Sequence, residues 1–250
     1  MVKLNAGIII IGNEILIGRT KDTNSNFIAK KLIKAGIELE QIRVIPDEQK
    51  IIIDTVLEFH KLYKYVFTTG GIGPTHDDIT SESLSKAFKK KYCYHPEAYK
   101  ILEKYYTKKE FNKGRKRMAK MPDKVELIFN PLTVAPGYRL KNIYVLPGVP
   151  IIMKKMFNQL IKNLKKGKPK KILTINTDLY ESIIAAKLSK IQKKNPKCSI
   201  GSYPYFNHSK KLGGVNVVIS SWELENLDNI KDQIKKMIKS LGGKSFLVYK

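Results

Sequence analysis

Apolar residues follow two rhythms along this chain. In the first, "AGIIIIG" (Ala6 to Gly12) is an unbroken β-branched run, the pattern of a strand buried on both faces of a parallel sheet. "DTNSNFIAKKLIKAG" then places Phe27, Ile28, Ala29, Leu32 and Ile33 on one helical face, opens on capping residues and stops at Gly36. A second strand is predicted at Ile37 to Ile45, a helix over "DEQKIIIDTVLEFHKLY" and a third strand at "YVFTTG". Strand-helix-strand-helix-strand is the order of an open α/β sheet. Helices follow at Ser81 to Phe88 and Glu97 to Glu110, short strands at Val125 to Phe129 and Ile143 to Leu146, and an amphipathic helix at Ile151 to Leu164.

The second rhythm begins after "KKGKPKK" (Lys165 to Lys171), an aperiodic charged stretch with Gly and Pro that reads as a linker. Beyond it come a strand (Ile172 to Thr177), a helix (Tyr180 to Lys193), two strands (Ser199 to Tyr205 and Val215 to Ser221) and a helix (Leu227 to Leu241). This β-α-β-β-α order predicts a small α+β layer with its helices on one face. The domains are set at residues 1–166 and 171–250. A domain of roughly 80 residues buries proportionally little apolar surface, so the second is expected to lean on the first or on another subunit.

Composition narrows the classes. The first apolar run is broken by Gly12, Asn13 and Glu14, too soon for a signal peptide or a membrane span, so a cytoplasmic protein without membrane contact is expected. Cys93 and Cys198 stand alone, with no spacing for a zinc site or a disulfide framework, and read as structural thiols. The formal charge of +25 is compatible with a nucleic-acid partner. The excess is nearly all lysine, spread over helix faces as in "KAFKKK" and "KDQIKKMIK", which favours solvated surfaces over bidentate phosphate contacts and makes nucleic acid an unlikely partner. An anionic small molecule would feel the same field.

"TTGGIGPTHDDIT" (Thr68 to Thr80) is the densest chemistry in the chain. Where a strand of an open sheet gives way to a helix, backbone N–H groups and the helix dipole make an anion site at the carboxyl edge. Gly70, Gly71 and Gly73 let the chain turn tightly and let a ligand approach the backbone, and Pro74 stiffens the turn. Asp77 and Asp78 beside that site would repel a phosphate unless a divalent cation neutralised them; Mg²⁺ typically takes one or two carboxylates together with substrate phosphates. Alternatively one of them, Asp78 above all, caps the next helix. Thr80 either caps that helix instead or binds the phosphate. A second polar cluster, "GNEILIGRTKDTNSNF", follows the first strand and should face this loop. Glu14 and Asp22 are candidate metal or ribose ligands, Asp22 equally a helix cap. Arg117 either clamps a phosphate or is a surface arginine. Tyr203, with Tyr205, brackets a proline at a strand end and either stacks on a flavin or adenine or packs locally.

The motifs "GNEILIGRTKDTN", "VIPDE", "TTGGIGPTHDDIT", "NPLTVAPG", "LPGVP" and "GSYP" stand in the order seen in CinA-type proteins. Over essentially its whole length the chain resembles these, and especially the molybdopterin-binding-like domain of eukaryotic FAD synthase. The resemblance implies the three-layer α/β/α sandwich of the molybdopterin-binding superfamily, followed by a KH-like β-α-β-β-α domain. It implies hydrolysis of a nucleotide diphosphate: ADP-ribose, or FAD to FMN and AMP, with a divalent ion (Mg²⁺, Mn²⁺ or Co²⁺) alone or with K⁺. Carried over, Thr69, Gly70, Gly71, Gly73, Asp77, Asp78 and Thr80 would surround the diphosphate and the cation. Glu14, Asp22 and Asn24 would line the facing wall, and Pro136, Gly137, Pro147 and Gly148 the floor. Metal ligation and water activation fall to Asp77, Asp78 and Glu14 together. A homodimer is implied as well.

Two departures stand out. With the sequence running to Lys250, neither the deamidase domain of full CinA nor the FAD-forming domain of the eukaryotic enzyme is expected, and "NPLTVAPG" lacks the Gly-Thr pair common before Ala-Pro-Gly. The other readings are a molybdopterin-binding protein of molybdenum cofactor biosynthesis and, third, an RNA-binding module. "KLGG" near Leu212 is not the GxxG loop of a KH clamp, and an acidic pocket has no use in plain RNA binding.

Overall fold

β1 (Asn5–Ile11) is buried along nearly its whole length, and its alternate residues feed two different cores. Ile9 and Ile11 point to one face, Ala6, Ile8 and Ile10 to the other, as the period of two requires. The computed structural model describes residues 4–207, 212–222 and 227–248. They divide into two compact units, Met1–Gly167 and Lys168–Lys250.

In the first unit, β1 is followed by α1 (Asn13–Leu16), α2 (Asn24–Lys34), β2 (Glu38–Ile45), α3 (Gln49–Leu62), β3 (Tyr65–Thr69) and α4 (Thr80–Ala87). Then come β4 (Tyr92–Tyr94), α5 (Pro96–Tyr105), α6 (Lys113–Arg117), β5 (Lys120–Pro122), β6 (Glu126–Ile128), β7 (Gly137–Leu140), β8 (Ile143–Leu146) and α7 (Pro150–Leu160). The main sheet has the order β2-β1-β3-β8-β7-β6; β2, β1, β3 and β8 are parallel, β7 pairs antiparallel with β8, and β6 pairs antiparallel with β7. Helices α3, α4 and α5 cover one face through Phe59, Leu84 and Leu102, and α2 and α7 cover the other through Ile28, Leu32 and Phe157. The result is a three-layer α/β/α sandwich. Each fully buried side chain of this size stabilises the fold by about 1.5–3 kcal/mol, which is why the continuous apolar run at β1 marks an interior strand, flanked by β2 and β3.

The second unit contains β9 (Lys171–Thr177), α8 (Glu181–Lys194), β10 (Ser199–Asn207), β11 (Leu212–Ser221), α9 (Leu227–Ser240) and β12 (Ser245–Val248). Its sheet, ordered β10-β11-β9-β12, is antiparallel throughout. Ile175, Val215, Val217 and Ile219 pack under Ile184, Ile230, Ile234 and Ile238, so the unit has an apolar core of its own despite its size. The opposite face of that sheet carries exposed Ile172, Tyr203 and Phe246.

Several elements depart from the pattern-based expectation. α1, β4, α6 and β5 are three to five residues each, too short to show a period, and β12 adds a fourth strand to the expected β-α-β-β-α order. β10 does not end at Tyr205 but runs to Asn207, with Pro204 in its interior. Proline is tolerated there because β10 is an edge strand and its missing N–H faces no partner. Gly213 and Gly214 of "KLGG" lie inside β11 rather than in a loop, and Lys211 and His208 lie outside the described residues. Both cysteines are free thiols. No helix among the described residues is long and apolar enough to cross a membrane.

Candidate functional site

β1, β2, β3 and β8 all end at the same edge of the sheet, and the segments leaving that edge meet around one cavity of about 490 Å³. β1 contributes Gly12 and Glu14, β2 contributes Asp47, β3 the turn from Gly70 to Pro74 with Asp77 and Asp78, and β8 the stretch from Pro147 to Pro150. β2 and β3 flank β1, so the chain reverses its direction across the sheet here, the place where open α/β sheets bind ligands.

The turn after β3 can be built only by glycine. Gly70 (φ 106°) and Gly71 (φ 67°) are left-handed, and an added Cβ would overlap the carbonyl oxygen of Ile11 at Gly70 and the hydroxyl of Thr80 at Gly71. Thr80 is fully buried and ties the turn shut: its hydroxyl donates to the Gly70 carbonyl (3.1 Å) and its N–H to the Gly71 carbonyl (3.0 Å). Thr69 is buried at the end of β3 with its hydroxyl unpartnered. Neither threonine lines the cavity.

The adjacent aspartates do different work. Asp78 Oδ1 accepts from the Gly73 N–H (2.6 Å), and Oδ2 accepts from the Thr75 N–H (2.8 Å) and hydroxyl (2.5 Å). Both its oxygens brace the 73–78 loop, so Asp78 is a loop brace and not a helix cap; the residue before α4 is Ile79. Asp77 is exposed at the cavity. Its carboxyl lies below the usual carboxylate range, chiefly through the Thr75 hydroxyl beside it and its own N–H, with His76 and Arg117 adding. The single hydroxyl proton is committed by its geometry to Asp78, so the shift at Asp77 reflects proximity more than a second full hydrogen bond.

Asp47 completes an acidic wall. It sits just beyond β2, accepts from the Asn13 N–H (2.9 Å) and faces the cavity with Glu14. Burial pushes its carboxyl up, the Asn13 N–H opposes this, and the charges of Glu14, Asp77 and Asp78 raise it further. Crowded carboxylates of this kind offer hard oxygen ligands to a divalent cation. Among the described residues no three His, Cys, Asp or Glu side chains stand close enough to hold a metal by themselves. An ion here would have to take one or two of these carboxylates and fill its shell from other donors, such as phosphates and water.

The profile of the family described as "Probable molybdopterin binding domain" matches residues 7–166, the unit that holds this cavity. The chain belongs to this family. A second profile, "FAD synthase, middle domain", matches residues 172–242. A CinA-like protein of Thermosipho melanesiensis is 31% identical over 243 residues, covering 92% of this chain and 58% of the relative. A probable FAD synthase of Caenorhabditis elegans is 29% identical over 259 residues, covering 93% of this chain and 50% of the relative. The chain thus spans about half the length of that synthase. The crystal structure of a CinA protein from Thermoplasma acidophilum, titled as of unknown function, superimposes with a TM-score of 0.61 at 32% identity, over 64% of this chain and 98% of that one.

Several expected residues act on the cavity from outside it. Asp22 Oδ1 accepts from the N–H groups of Asn24 (2.8 Å) and Ser25 (3.2 Å), and Ser25 donates its hydroxyl to Oδ2, so Asp22 secures the start of α2 and is not a wall ligand. Asn24 donates to the Gly148 carbonyl (2.8 Å), fixing the turn after β8. Arg117 does not line the cavity; its guanidinium donates to the Asp78 carbonyl (3.0 Å). Pro136, Pro147 and Gly148 do line it, whereas Gly137 begins β7 and packs on β8. Tyr203 is in the second unit, exposed on β10.

Two contributors were missed. Asp47 stands in "VIPDE", and its position just past a predicted strand end was the signal that could have found it. Asn130, buried, accepts from the N–H groups of Leu132 (2.9 Å) and Thr133 (3.2 Å) and donates to the Ala135 carbonyl (3.1 Å), so it shapes the 130–136 turn at the cavity mouth. Asn before Pro is a turn signal, though nothing in the sequence pattern aims that turn at the site.

Proposed function

We propose that this chain hydrolyses the diphosphate linkage of a nucleotide such as FAD or ADP-ribose, with a divalent cation. One observation carries the reading: Asp78 is consumed in bracing the loop while its neighbour Asp77 is left exposed, facing Glu14 and Asp47 across a cavity walled by the glycine turn. The matches to the FAD synthase middle domain and to a probable FAD synthase support a nucleotide as the substrate.

The chemistry follows from charge. Diphosphate oxygens repel a nucleophile, and backbone N–H groups aimed at them reduce that repulsion and stabilise the transition state. The turn from Gly70 to Pro74, and that from Pro147 to Pro150, position the linkage against the acidic wall. A cation held by Asp77 with Glu14 or Asp47 would neutralise the charge that wall otherwise turns on a phosphate. A carboxylate of the wall orients the attacking water; its oxygen adds to one phosphorus and the bridging oxygen leaves with the other phosphate.

The family profile favours a second reading, a molybdopterin-binding protein. One panel separates the two: FAD, NAD(H), ADP-ribose and coenzyme A, each with Mg²⁺, Mn²⁺, Co²⁺ or EDTA, with AMP release followed, and molybdopterin tested for binding. Metal-dependent AMP release from at least one substrate is expected. No hydrolysis by any combination, with tight molybdopterin binding, would replace the first reading by the second.

A further inference from the structure

A second hollow of about 500 Å³ shares Pro74 with the acidic cavity but has the opposite charge. The two-stranded ribbon β4–β5 forms one wall, with Tyr94 directly opposite Lys120. Helix α6 forms another and comes close to the loop because residue 114 is glycine: a Cβ there would lie 3.1 Å from the Pro74 carbonyl oxygen. Lys113, Arg117 and Lys120 line the hollow. Among the described residues none of the three is in a salt bridge. The one carboxylate at the rim, Glu82, is paired with Lys86 at 3.0 Å. Lys120 Nζ lies 4.9 Å from the Tyr94 ring centroid and 5.6 Å from that of Tyr92, which holds the ammonium in place over apolar surface. Arg117 donates to the Asp78 carbonyl and also bonds the Tyr92 hydroxyl, and a guanidinium has five donors.

We propose that this hollow is a binding site for a phosphate monoester, distinct from the diphosphate cavity. Three cations outside any salt bridge, of which Arg117 also feels the Asp77 charge, stand around a concave, tyrosine-lined surface and supply charge-assisted hydrogen bonds to an oxyanion. The acidic cavity next door would repel the same anion. Because Arg117 also holds the Asp78 carbonyl, an anion on its free donors is coupled to the loop that presents Asp77. The site stands on this geometry and does not depend on the hydrolase reading.

Calorimetric titration of the full chain with AMP and with inorganic phosphate, in EDTA and low salt, tests it. Without a divalent cation the Glu14, Asp47 and Asp77 wall disfavours binding in the first cavity. Saturable binding of one anion per chain is expected, at least tenfold weaker in Lys113→Glu/Lys120→Glu and within twofold of wild type in Lys30→Glu/Lys34→Glu, which removes the same net charge elsewhere. If the first double variant fails to fold, Lys113→Gln/Lys120→Gln takes its place. Equal affinity for AMP and phosphate assigns recognition to the phosphate alone, and tighter AMP binding adds the nucleoside to the ligand class. No saturable binding, or an equal loss in both double variants, overturns the proposal.

Discussion

The two sheets of this protein are built on opposite plans. In the first unit four parallel strands finish at one edge, so segments distant in sequence (around residues 12, 47, 70 and 147) converge on a single cavity. In the second, every neighbouring pair is antiparallel, strand ends are shared out between two edges, and one face lies under α8 and α9 while the other carries isolated apolar side chains. Parallel topology concentrates loops; antiparallel topology disperses them. Chemistry that needs several carboxylates beside a backbone anion site therefore belongs to the first plan.

Dividing the chain gives the largest expected effect. Residues 1–167 should fold and keep all the diphosphate hydrolysis of the full chain, and residues 168–250 should have none, with AMP release as the measure. A folded 1–167 fragment without activity would show that the second unit supplies part of the site.

Within the first unit, Gly71→Ala forces a left-handed alanine against the Thr80 hydroxyl. It should lower stability by about 1–3 kcal/mol, read by denaturant unfolding, and abolish activity with it; an unchanged midpoint would mean the turn is not held as described. Asp78→Ala strands the Gly73 and Thr75 donors and should cost about 1–2 kcal/mol, with activity falling only as far as the loop loosens. A variant of unchanged stability would remove the loop-brace role.

Asp47→Asn gives the smallest effect and the sharpest sign. Burial and neighbouring carboxylates raise the Asp47 carboxyl above its ordinary value, so stability from this group is full below that value and is lost as pH rises through the raised one. In EDTA at neutral pH the variant should melt slightly above wild type, since asparagine keeps an acceptor for the Asn13 N–H, and the two should converge as pH falls through the carboxylate range. Its gain in Tm on adding a divalent ion should shrink. A lower Tm in EDTA would show that the Asp47 charge is compensated.

Legibility in the sequence followed the same division. β1, α2 and α3 announced themselves because a strand buried on both faces and an amphipathic helix have distinct periods, and the glycine turn because two adjacent left-handed residues need glycine. α6 and the β4–β5 ribbon stayed hidden because three to five residues carry no period. The pairing of Asp77 with Asp78 was visible but their division of labour was not, since it depends on which carboxylate the Gly73 and Thr75 N–H groups meet once the loop closes. Asp22 stayed open between wall ligand and helix cap for the same reason: short polar runs before a helix read identically whether they face a ligand or the helix's own N–H groups.

The central claim is that Asp77, left exposed where Asp78 is consumed, holds the cation that permits diphosphate cleavage. AMP release from FAD and ADP-ribose by wild type and Asp77→Asn, each with EDTA and with Mg²⁺, Mn²⁺ or Co²⁺, tests it directly. AMP is expected from wild type with a metal and from neither protein in EDTA, with the variant at least about 100-fold slower in metal at an unchanged Tm. Metal-independent cleavage, or a variant as fast as wild type, would contradict the account.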